Sequence, residues 1–175
     1  LEAGLSAGKH VVTANKEVMA KNGPELLSLA RRNRVNLLFE ASVGGGIPII
    51  GCLMNELVAN DIHSVRGIIN GTSNYILTRM AYHRTDFHQA LEEAQQRGYA
   101  EADPTDDVEG IDAVYKLAIL ASLAFHRPLD PQDIYRQGIS RLEAQDFRYA
   151  QELGYAIKSL ASATLEDGAI QARVY

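Results

Sequence analysis

One stretch of the chain, residues 98–116, gathers the side chains that acid–base chemistry requires. It reads GYAEADPTDDVEGIDAVYK, and we call it the acidic strip because it carries six carboxylates and a single basic residue, Lys116. A solvated surface loop is the simplest interpretation of such a charge run. However, Asp112 and Lys116 are four residues apart, and this spacing places both side chains on one face of a helix.

The helix that carries Asp112 and Lys116 is predicted to be buried, because residues 117–125 are apolar apart from Ser122. Charged groups on a buried helix must be paired or functional, since removing one partner of a buried pair costs about 3–5 kcal/mol. A structural ion pair and a catalytic lysine explain the spacing equally well.

A lysine in such a place has a chemical use. Desolvation disfavours the charged form of a lysine, so a buried lysine can give up a proton near neutral pH. Carboxylates beside it would orient it and could bind the ammonium group of a substrate. This constellation suits the reduction of a carbonyl on an amino-acid skeleton, in which hydride reaches carbon and a proton reaches oxygen.

The elements upstream of the strip change character near Glu40. Before it, residues 1–8 end in a helix stop at Gly8, residues 10–14 and 35–39 form strands, and Pro24 opens a helix that runs to Arg34. This order predicts that residues 1–39 are the tail of a Rossmann-like α/β nucleotide-binding domain.

Residues 40–175 are predicted to form a mixed-sheet α+β domain. Its predicted helices span residues 48–59, 71–82, 86–98, 111–125 and 141–153, and an acidic loop occupies residues 101–110. Its predicted strands span residues 62–70, 155–165 and 169–175, with a hairpin turn at Asp167–Gly168. The chain as a whole is therefore of the α/β class.

The bulk composition excludes several classes of partner. The net charge of −5 should not attract nucleic acid or an anionic membrane, and no apolar run reaches the length of a membrane span. Cys52 is the single cysteine, so no intrachain disulfide can form, and a reducing compartment such as the cytoplasm is expected. The first residues read as the middle of a helix, so we expect the chain to be cut from a longer protein.

Four ordered motifs resemble those of the homoserine dehydrogenase family. The acidic strip resembles the family signature G-[YF]-[AT]-E-x-[DN]-P-x-x-D followed by G-x-D-x-x-x-K. The other three motifs lie at residues 10–16, HVVTANK, residues 40–50, EASVGGGIPII, and residues 67–76, GIINGTSNYI. The resemblance implies NAD(P)-dependent interconversion of L-aspartate 4-semialdehyde and L-homoserine, in the biosynthesis of threonine, methionine and isoleucine.

The resemblance also implies a role for the domain at residues 40–175, which would bind substrate, carry out catalysis and form a homodimer, and which would be incomplete at its C-terminal end. The glycine-rich nucleotide fingerprint of the family would lie upstream of residue 1. We therefore expect that these 175 residues alone bind NAD(P) poorly and are inactive.

Two lysines compete for the acid–base role that the family resemblance implies. Lys116 matches the proton donor to the aldehyde oxygen, whereas Lys16 matches a lysine near both the nicotinamide and the substrate. Asp112 would contact the reacting end of the substrate or hold Lys116. A surface lysine after a strand is the alternative interpretation of Lys16.

The same resemblance assigns further contacts with the substrate and the cofactor. Glu101 and Asp107 match substrate-binding carboxylates, and Thr72 would touch the substrate, although a helix-capping role explains it equally well. Gly98 matches a glycine that lies against the cofactor, and it can also end a helix.

The glycine-rich segment from Glu40 to Ile47 resembles the family's monovalent-cation site, in which mostly backbone carbonyls bind sodium or potassium. The matching positions are Glu40, Val43, Gly45 and Ile47, and the neighbouring glycines supply the pliant backbone that turning carbonyls inward requires. A tight glycine turn with no bound ion is the alternative interpretation.

Two other functions are alternatives to this one. A thiol-dependent aldehyde dehydrogenase would use Cys52 as nucleophile and a histidine as base, but Cys52 lies in an apolar run without a cationic neighbour, and the five histidines lack metal-ligand spacing. A non-catalytic dimerisation or sensing domain of the same fold would not need the full set of acid–base residues together, namely Lys16, Glu101, Asp107, Asp112 and Lys116.

Overall fold

The computed structural model describes all residues from 1 to 175. The α-helices are α1 (Glu2–Ser6), α2 (Lys16–Arg32), α3 (Gly71–His83), α4 (Phe87–Gln96), α5 (Thr105–Val108), α6 (Ile111–Ala124) and α7 (Ala144–Glu152). The strands are β1 (Val11–Val12), β2 (Leu37–Leu38), β3 (Ser64–Gly67), β4 (Tyr135–Arg136), β5 (Ala161–Glu166) and β6 (Ala169–Val174). Shorter turns are the 3₁₀ helices Glu40–Ser42 and Pro131–Asp133 and the π-helix Cys52–Glu56.

The strands form two sheets, and the predicted α/β fold class is confirmed. In the first sheet β1 and β2 are parallel, and α2 supplies the crossover that parallel neighbours require. The second sheet has the strand order β3-β5-β6-β4, with β4 parallel to β6. The predicted hairpin joins β5 to β6, and Asp167 and Gly168 both have positive φ angles, 49° and 79°, as its tight turn requires.

The chain divides into two compact units that differ from the sequence-based domains. The first comprises Leu1–Val65, Tyr115–Ile134 and Ala163–Ala172, and the second comprises Arg66–Val114, Tyr135–Ser162 and Arg173–Tyr175. The domain boundary near Glu40 stays a prediction. None of the helices combines the length and the hydropathy needed to cross a bilayer.

In the first unit, α2 begins much earlier than the sequence predicted. Its N-cap is Asn15, whose side-chain oxygen accepts a hydrogen bond from the Val18 N–H at 3.0 Å. Pro24, predicted to open the helix, lies inside it, where it cannot donate to the preceding turn. The prediction was wrong because it placed the proline in the first turn and overlooked the asparagine cap.

The predicted apolar helix at residues 48–59 is shorter in the structure. Helical backbone runs from residue 50 to residue 56, and most of it is the π-helix Cys52–Glu56. Its start lies two residues after Pro48, where the Glu40 carboxylate accepts hydrogen bonds from the backbone N–H groups of Ile50 and Gly51, each at 2.8 Å. A capping acid ten residues upstream fixes this start, and local sequence patterns do not show it.

The second unit contains a core built from α3, α4 and α7. Its buried members are Ile76, Leu77, Met80, Phe87, Ala90, Ala94, Ala100, Val108, Ile139 and Phe147. The helices predicted at residues 71–82, 86–98 and 141–153 are confirmed as α3, α4 and α7, with ends that differ by up to three residues. The predicted loop at residues 101–110 contains the short helix α5.

Helix α6 carries the second half of the acidic strip and is buried, as its sequence predicted. Val114, Leu117, Ala118 and Ala121 all have exposures of 5% or less. The apolar surface of this helix therefore anchors the charged residues in its first turns to the interior of the protein.

Candidate functional site

A buried asparagine, Asn70, connects the two halves of the acidic strip. Its side-chain nitrogen donates to Asp107 Oδ1 at 2.6 Å and to Asp112 Oδ2 at 2.9 Å. Its side-chain oxygen accepts from the Ser73 N–H at 2.7 Å and so caps α3. Asn70 lies in one of the four sequence motifs but was not predicted to have a role, although an asparagine directly before a helix is a strong capping signal.

The next residues of α3 hold the backbone of the strip. The Thr72 hydroxyl donates to the Tyr99 carbonyl at 2.7 Å, and the Ser73 hydroxyl donates to the Asp107 carbonyl at 2.8 Å. Thr72 is therefore not the cap of α3, because Asn70 fills that position. The N-terminal turn of α3 positions both ends of the segment that bears the predicted substrate-binding carboxylates.

The strip begins where α4 ends. The N–H of Gly98 donates to the Gln95 carbonyl at 3.0 Å and the N–H of Tyr99 donates to the Ala94 carbonyl at 2.8 Å, the paired bonds of a Schellman motif. Gly98 has a φ of 75°, which confirms its predicted helix-ending role. A Cβ built at Gly98 would meet no atom within 4 Å, so the space beside this glycine is open.

Helix α6 holds Asp112 in its first turn and Lys116 one turn later. Asp112 is 5% exposed, and its carboxylate accepts the Asn70 hydrogen bond described above, so its burial is compensated by a polar partner. Lys116 is half-buried. Asp112 is thus buried, as the sequence predicted for this helix, whereas Lys116 is only partly buried, and its functional role stays a prediction.

Residues 136–140 pack against the end of α5, which is the part of the strip between Asp107 and Asp112. The Ile139 N–H donates to the Val108 carbonyl at 2.8 Å, and the Ser140 hydroxyl donates to Glu109 Oε1 at 2.7 Å. A Cβ added to Gly138 would lie 2.9 Å from the Val108 carbonyl oxygen and 3.0 Å from Glu109 Cα. No local sequence pattern signals this close approach, because it joins segments about thirty residues apart.

The exposed part of the strip lies between these anchors. Glu101 is exposed, and its backbone carbonyl accepts a hydrogen bond from Gln95 Nε2 at 3.0 Å. Asp103 accepts from the hydroxyl and the N–H of Thr105, at 2.6 and 3.1 Å. These hydrogen bonds, the one from the hydroxyl first, hold the pKa of Asp103 below its usual range.

The remaining predicted residues belong to the first unit. Lys16 is the first residue of α2 and is half-buried, directly after the Asn15 cap. In the second unit, by contrast, Asn70 brings Asp107 and Asp112 together, and Thr72 bonds the acidic strip at the Tyr99 carbonyl.

The predicted cation segment folds as a tight turn. Gly44 and Gly45 have φ angles of 75° and 60°, and the Ile47 N–H donates to the Gly44 carbonyl at 3.1 Å. The Glu40 carboxylate is engaged in capping, and the Ile47 carbonyl accepts from the Ile49 N–H at 2.9 Å. No group of three or more His, Cys, Asp or Glu side chains is arranged to hold a metal ion.

Comparison with known proteins shows the family. Residues 48–175 match the family described as homoserine dehydrogenase. A homoserine dehydrogenase of Neisseria gonorrhoeae is 49% identical over 177 residues, covering 99% of this chain and 41% of the relative. The crystal structure of a homoserine dehydrogenase from Thiobacillus denitrificans aligns with a TM-score of 0.94 at 51% identity, covering 98% of this chain and 40% of that one.

A more distant structure is that of a hyperthermophilic archaeal homoserine dehydrogenase in complex with NADPH, which aligns with a TM-score of 0.82 at 31% identity. It covers 99% of this chain and 50% of that one. The fold is thus that of the solved homoserine dehydrogenases. The chain belongs to the homoserine dehydrogenase family of oxidoreductases, and it spans about 40% of the length of the curated relatives it matches.

Membership of this family does not support the thiol-dependent alternative. Cys52 is a free, half-buried cysteine within the π-helix, and its backbone carbonyl accepts from the Leu57 N–H at 2.9 Å. Its place in the fold is that of a small residue packed in an apolar turn.

Proposed function

We propose that the complete protein interconverts L-aspartate 4-semialdehyde and L-homoserine with NAD(P), as a step in the synthesis of threonine, methionine and isoleucine. The observation that carries the proposal is the cluster of Asp107 and Asp112 around Asn70 at the start of the α6 helix. It supplies fixed negative charge next to a lysine-bearing helix, in a chain of the homoserine dehydrogenase family.

The negative charge of the cluster suits the substrate. Both L-homoserine and its aldehyde carry an α-ammonium group, and a carboxylate binds such a group through charge-assisted hydrogen bonds. We assign this contact to Glu101 and Asp107. Thr72, in the first turn of α3, would also touch the substrate. Glu101 is free to move toward a ligand because its side chain lies at the surface.

The proton transfer is assigned to Lys116, with Lys16 as the competing candidate. In the direction of reduction, Lys116 would protonate the aldehyde oxygen while the carbonyl carbon is reduced. Asp112, one helical turn before it, would hold Lys116 or contact the reacting end of the substrate. Separate substitutions of the two lysines decide between them.

Lys16 and Gly98 are the residues of this chain that would adjoin the nicotinamide cofactor. The open space beside Gly98 is consistent with close approach of a ligand to its backbone. NAD(P) supplies or accepts the hydride, and one relative was solved in complex with NADPH. The choice between NADH and NADPH rests on residues other than these two.

A monovalent cation, sodium or potassium, is proposed at the turn formed by Glu40, Val43, Gly45 and Ile47. The donor set fits in part. The carboxylate of Glu40 and the carbonyl of Ile47 already accept N–H groups. A hard cation takes several oxygen ligands, so the carbonyls of Val43 and Gly45 would form the core of the site.

We further propose that the complete protein is a cytoplasmic homodimer, as the family resemblance implies. The direct test of the function is a spectrophotometric assay of NADP⁺ or NAD⁺ reduction by the complete protein with L-homoserine. L-Homoserine should support turnover, and its analogue without the ammonium group, 4-hydroxybutyrate, should support far less. Absence of homoserine-dependent turnover with either cofactor would leave the non-catalytic domain as the better explanation.

A further inference from the structure

We infer that Asn70 is a positioning residue, whose single amide group sets the places of the Asp107 and Asp112 carboxylates in the substrate site. This inference rests on the proposed function, because it concerns how the proposed site is held together. Its basis is geometric: one nitrogen atom donates to oxygens of both carboxylates, at 2.6 and 2.9 Å.

The orientation of the Asn70 amide is fixed by its other partner. The Ser73 N–H can only donate, so the Asn70 atom that receives this bond at 2.7 Å must be the oxygen. The amide nitrogen therefore faces the two carboxylates, and it has two hydrogens, one for each. Both carboxylates consequently present unprotonated oxygens to Asn70.

Electrostatics explain why an amide suits this place. Two carboxylates that approach the same atom repel each other, and a hydrogen-bond donor between them offsets that repulsion. A lysine or an arginine in this position would do so more strongly, but its positive charge would compete with the ammonium group of the substrate. The amide organises the two carboxylates without adding a positive charge of its own.

Burial and neighbouring bonds make Asn70 a rigid reference point. Asn70 is 6% exposed and Ser73 is 2% exposed. Ser73 also holds the Asp107 backbone through its hydroxyl, so both the main chain and the side chain of Asp107 are tied to the first turn of α3. A shift of the amide would therefore displace the carboxylates directly.

Two substitutions separate positioning from helix capping. Asn70→Ser and Asn70→Asp both keep a side-chain oxygen at a position where serine, aspartate and asparagine cap almost equally well. Asn70→Ser removes the bridging donor, and Asn70→Asp replaces it with a third carboxylate. The control is Asp86→Ala, which removes the equivalent capping bond of α4, from the Gln89 N–H at 2.9 Å, away from the strip.

The measurement is the steady-state kinetics of homoserine oxidation by the complete protein. We expect Asn70→Ser to raise the KM for homoserine at least about 10-fold and Asn70→Asp to lower kcat/KM by ~10²-fold, the range for a displaced catalytic geometry. The KM for the dinucleotide should stay unchanged in both variants. In Asp86→Ala both KM values should stay unchanged, although the melting temperature falls.

Two results would overturn the inference. One is a homoserine KM and a kcat within threefold of wild type in both Asn70 variants. The other is a loss of Vmax alone in Asn70→Ser, with both of its KM values unchanged, because that pattern indicates a smaller folded fraction. If one Asn70 variant does not melt cooperatively, the kinetics of the other variant decide the question. A wild-type protein that does not oxidise homoserine would instead refute the proposed function, so the two failures are distinguishable.

Discussion

Gly138 packs against the end of α5 with no room for a methyl group, and this makes Gly138→Ala a sharp test of how the acidic strip is held. A Cβ at this position would lie 2.5 Å from Glu109 Oε2, 2.9 Å from the Val108 carbonyl oxygen and 3.0 Å from Glu109 Cα. The carboxylate can rotate away, but the two backbone atoms cannot. Residues 136–140 must therefore move away from the strip.

The cost of Gly138→Ala has two components. Forcing an extra methyl group into a packed contact costs about 1–3 kcal/mol. The movement of residues 136–140 also lengthens the hydrogen bond from the Ile139 N–H to the Val108 carbonyl, which is 2.8 Å in the wild type. Such a hydrogen bond contributes about 1 kcal/mol to stability. We expect the free energy of unfolding to fall by about 2–4 kcal/mol.

A catalytic effect should accompany the loss of stability, because Val108 and Glu109 lie between Asp107 and Asp112. We expect kcat/KM for homoserine to fall by roughly 10-fold in the folded variant, as expected for a sub-ångström displacement of site residues. Urea unfolding and steady-state kinetics of the complete protein measure the two effects.

The matched control is Gly23→Ala, in the interior of α2, where a Cβ would lie 3.5 Å from Met19 Cε, an ordinary contact. It should leave the protein as stable as wild type or stabilise it by about 0.5–1 kcal/mol, because alanine favours helix. A free energy of unfolding of Gly138→Ala within about 0.5 kcal/mol of the wild-type value, the range of an unconstrained surface substitution, would show that the contact at Gly138 has room for a methyl group.

Three further predictions concern single side chains. Glu40→Ala should lower the free energy of unfolding by about 2 kcal/mol, because two backbone N–H groups lose a charged acceptor; Glu40→Gln should lose less, and equal losses would contradict the capping role. The pKa of Asp103 is depressed, so its hydrogen bonds to Thr105 stabilise the fold above the unfolded-state pKa and are lost as the pH falls through the folded-state pKa. Side-chain NMR titration should show this low midpoint, and Thr105→Val should raise it; an unchanged midpoint would refute the assignment. Cys52→Ser should retain full activity, as should the wild type after thiol alkylation, whereas inactivation would revive the thiol mechanism.

Elements with local start and stop signals could be predicted from the sequence. The Asp86 cap and the Schellman glycine, Gly98, delimit α4 because each satisfies backbone groups of the nearest turn. The hairpin at Asp167–Gly168 is equally local, since both residues tolerate positive φ. The burial of α6 followed from its apolar sequence.

Elements fixed by distant partners could not be predicted in this way. Glu40 caps a helical turn ten residues downstream, and residues 136–140 close over Val108 and Glu109 from across the second unit. Asn70 combines a local cap, which its position signals, with two bonds to residues 37 and 42 positions away, which no local pattern shows. The motifs pointed to the carboxylates of the proposed site but not to the amide that joins them.

We propose that the acidic strip forms the substrate site of a homoserine dehydrogenase, with Lys116 as its proton donor. It is tested most directly by Lys116→Ala in the complete protein, assayed for the reduction of L-aspartate 4-semialdehyde by NADPH, with Lys16→Ala measured in parallel. We expect a fall in kcat of about 10²-fold or more for Lys116→Ala, the range for a lost general acid, with an unchanged melting profile. Reduction within a few fold of the wild-type rate would contradict the assignment, and a larger loss in Lys16→Ala alone would transfer the role to Lys16.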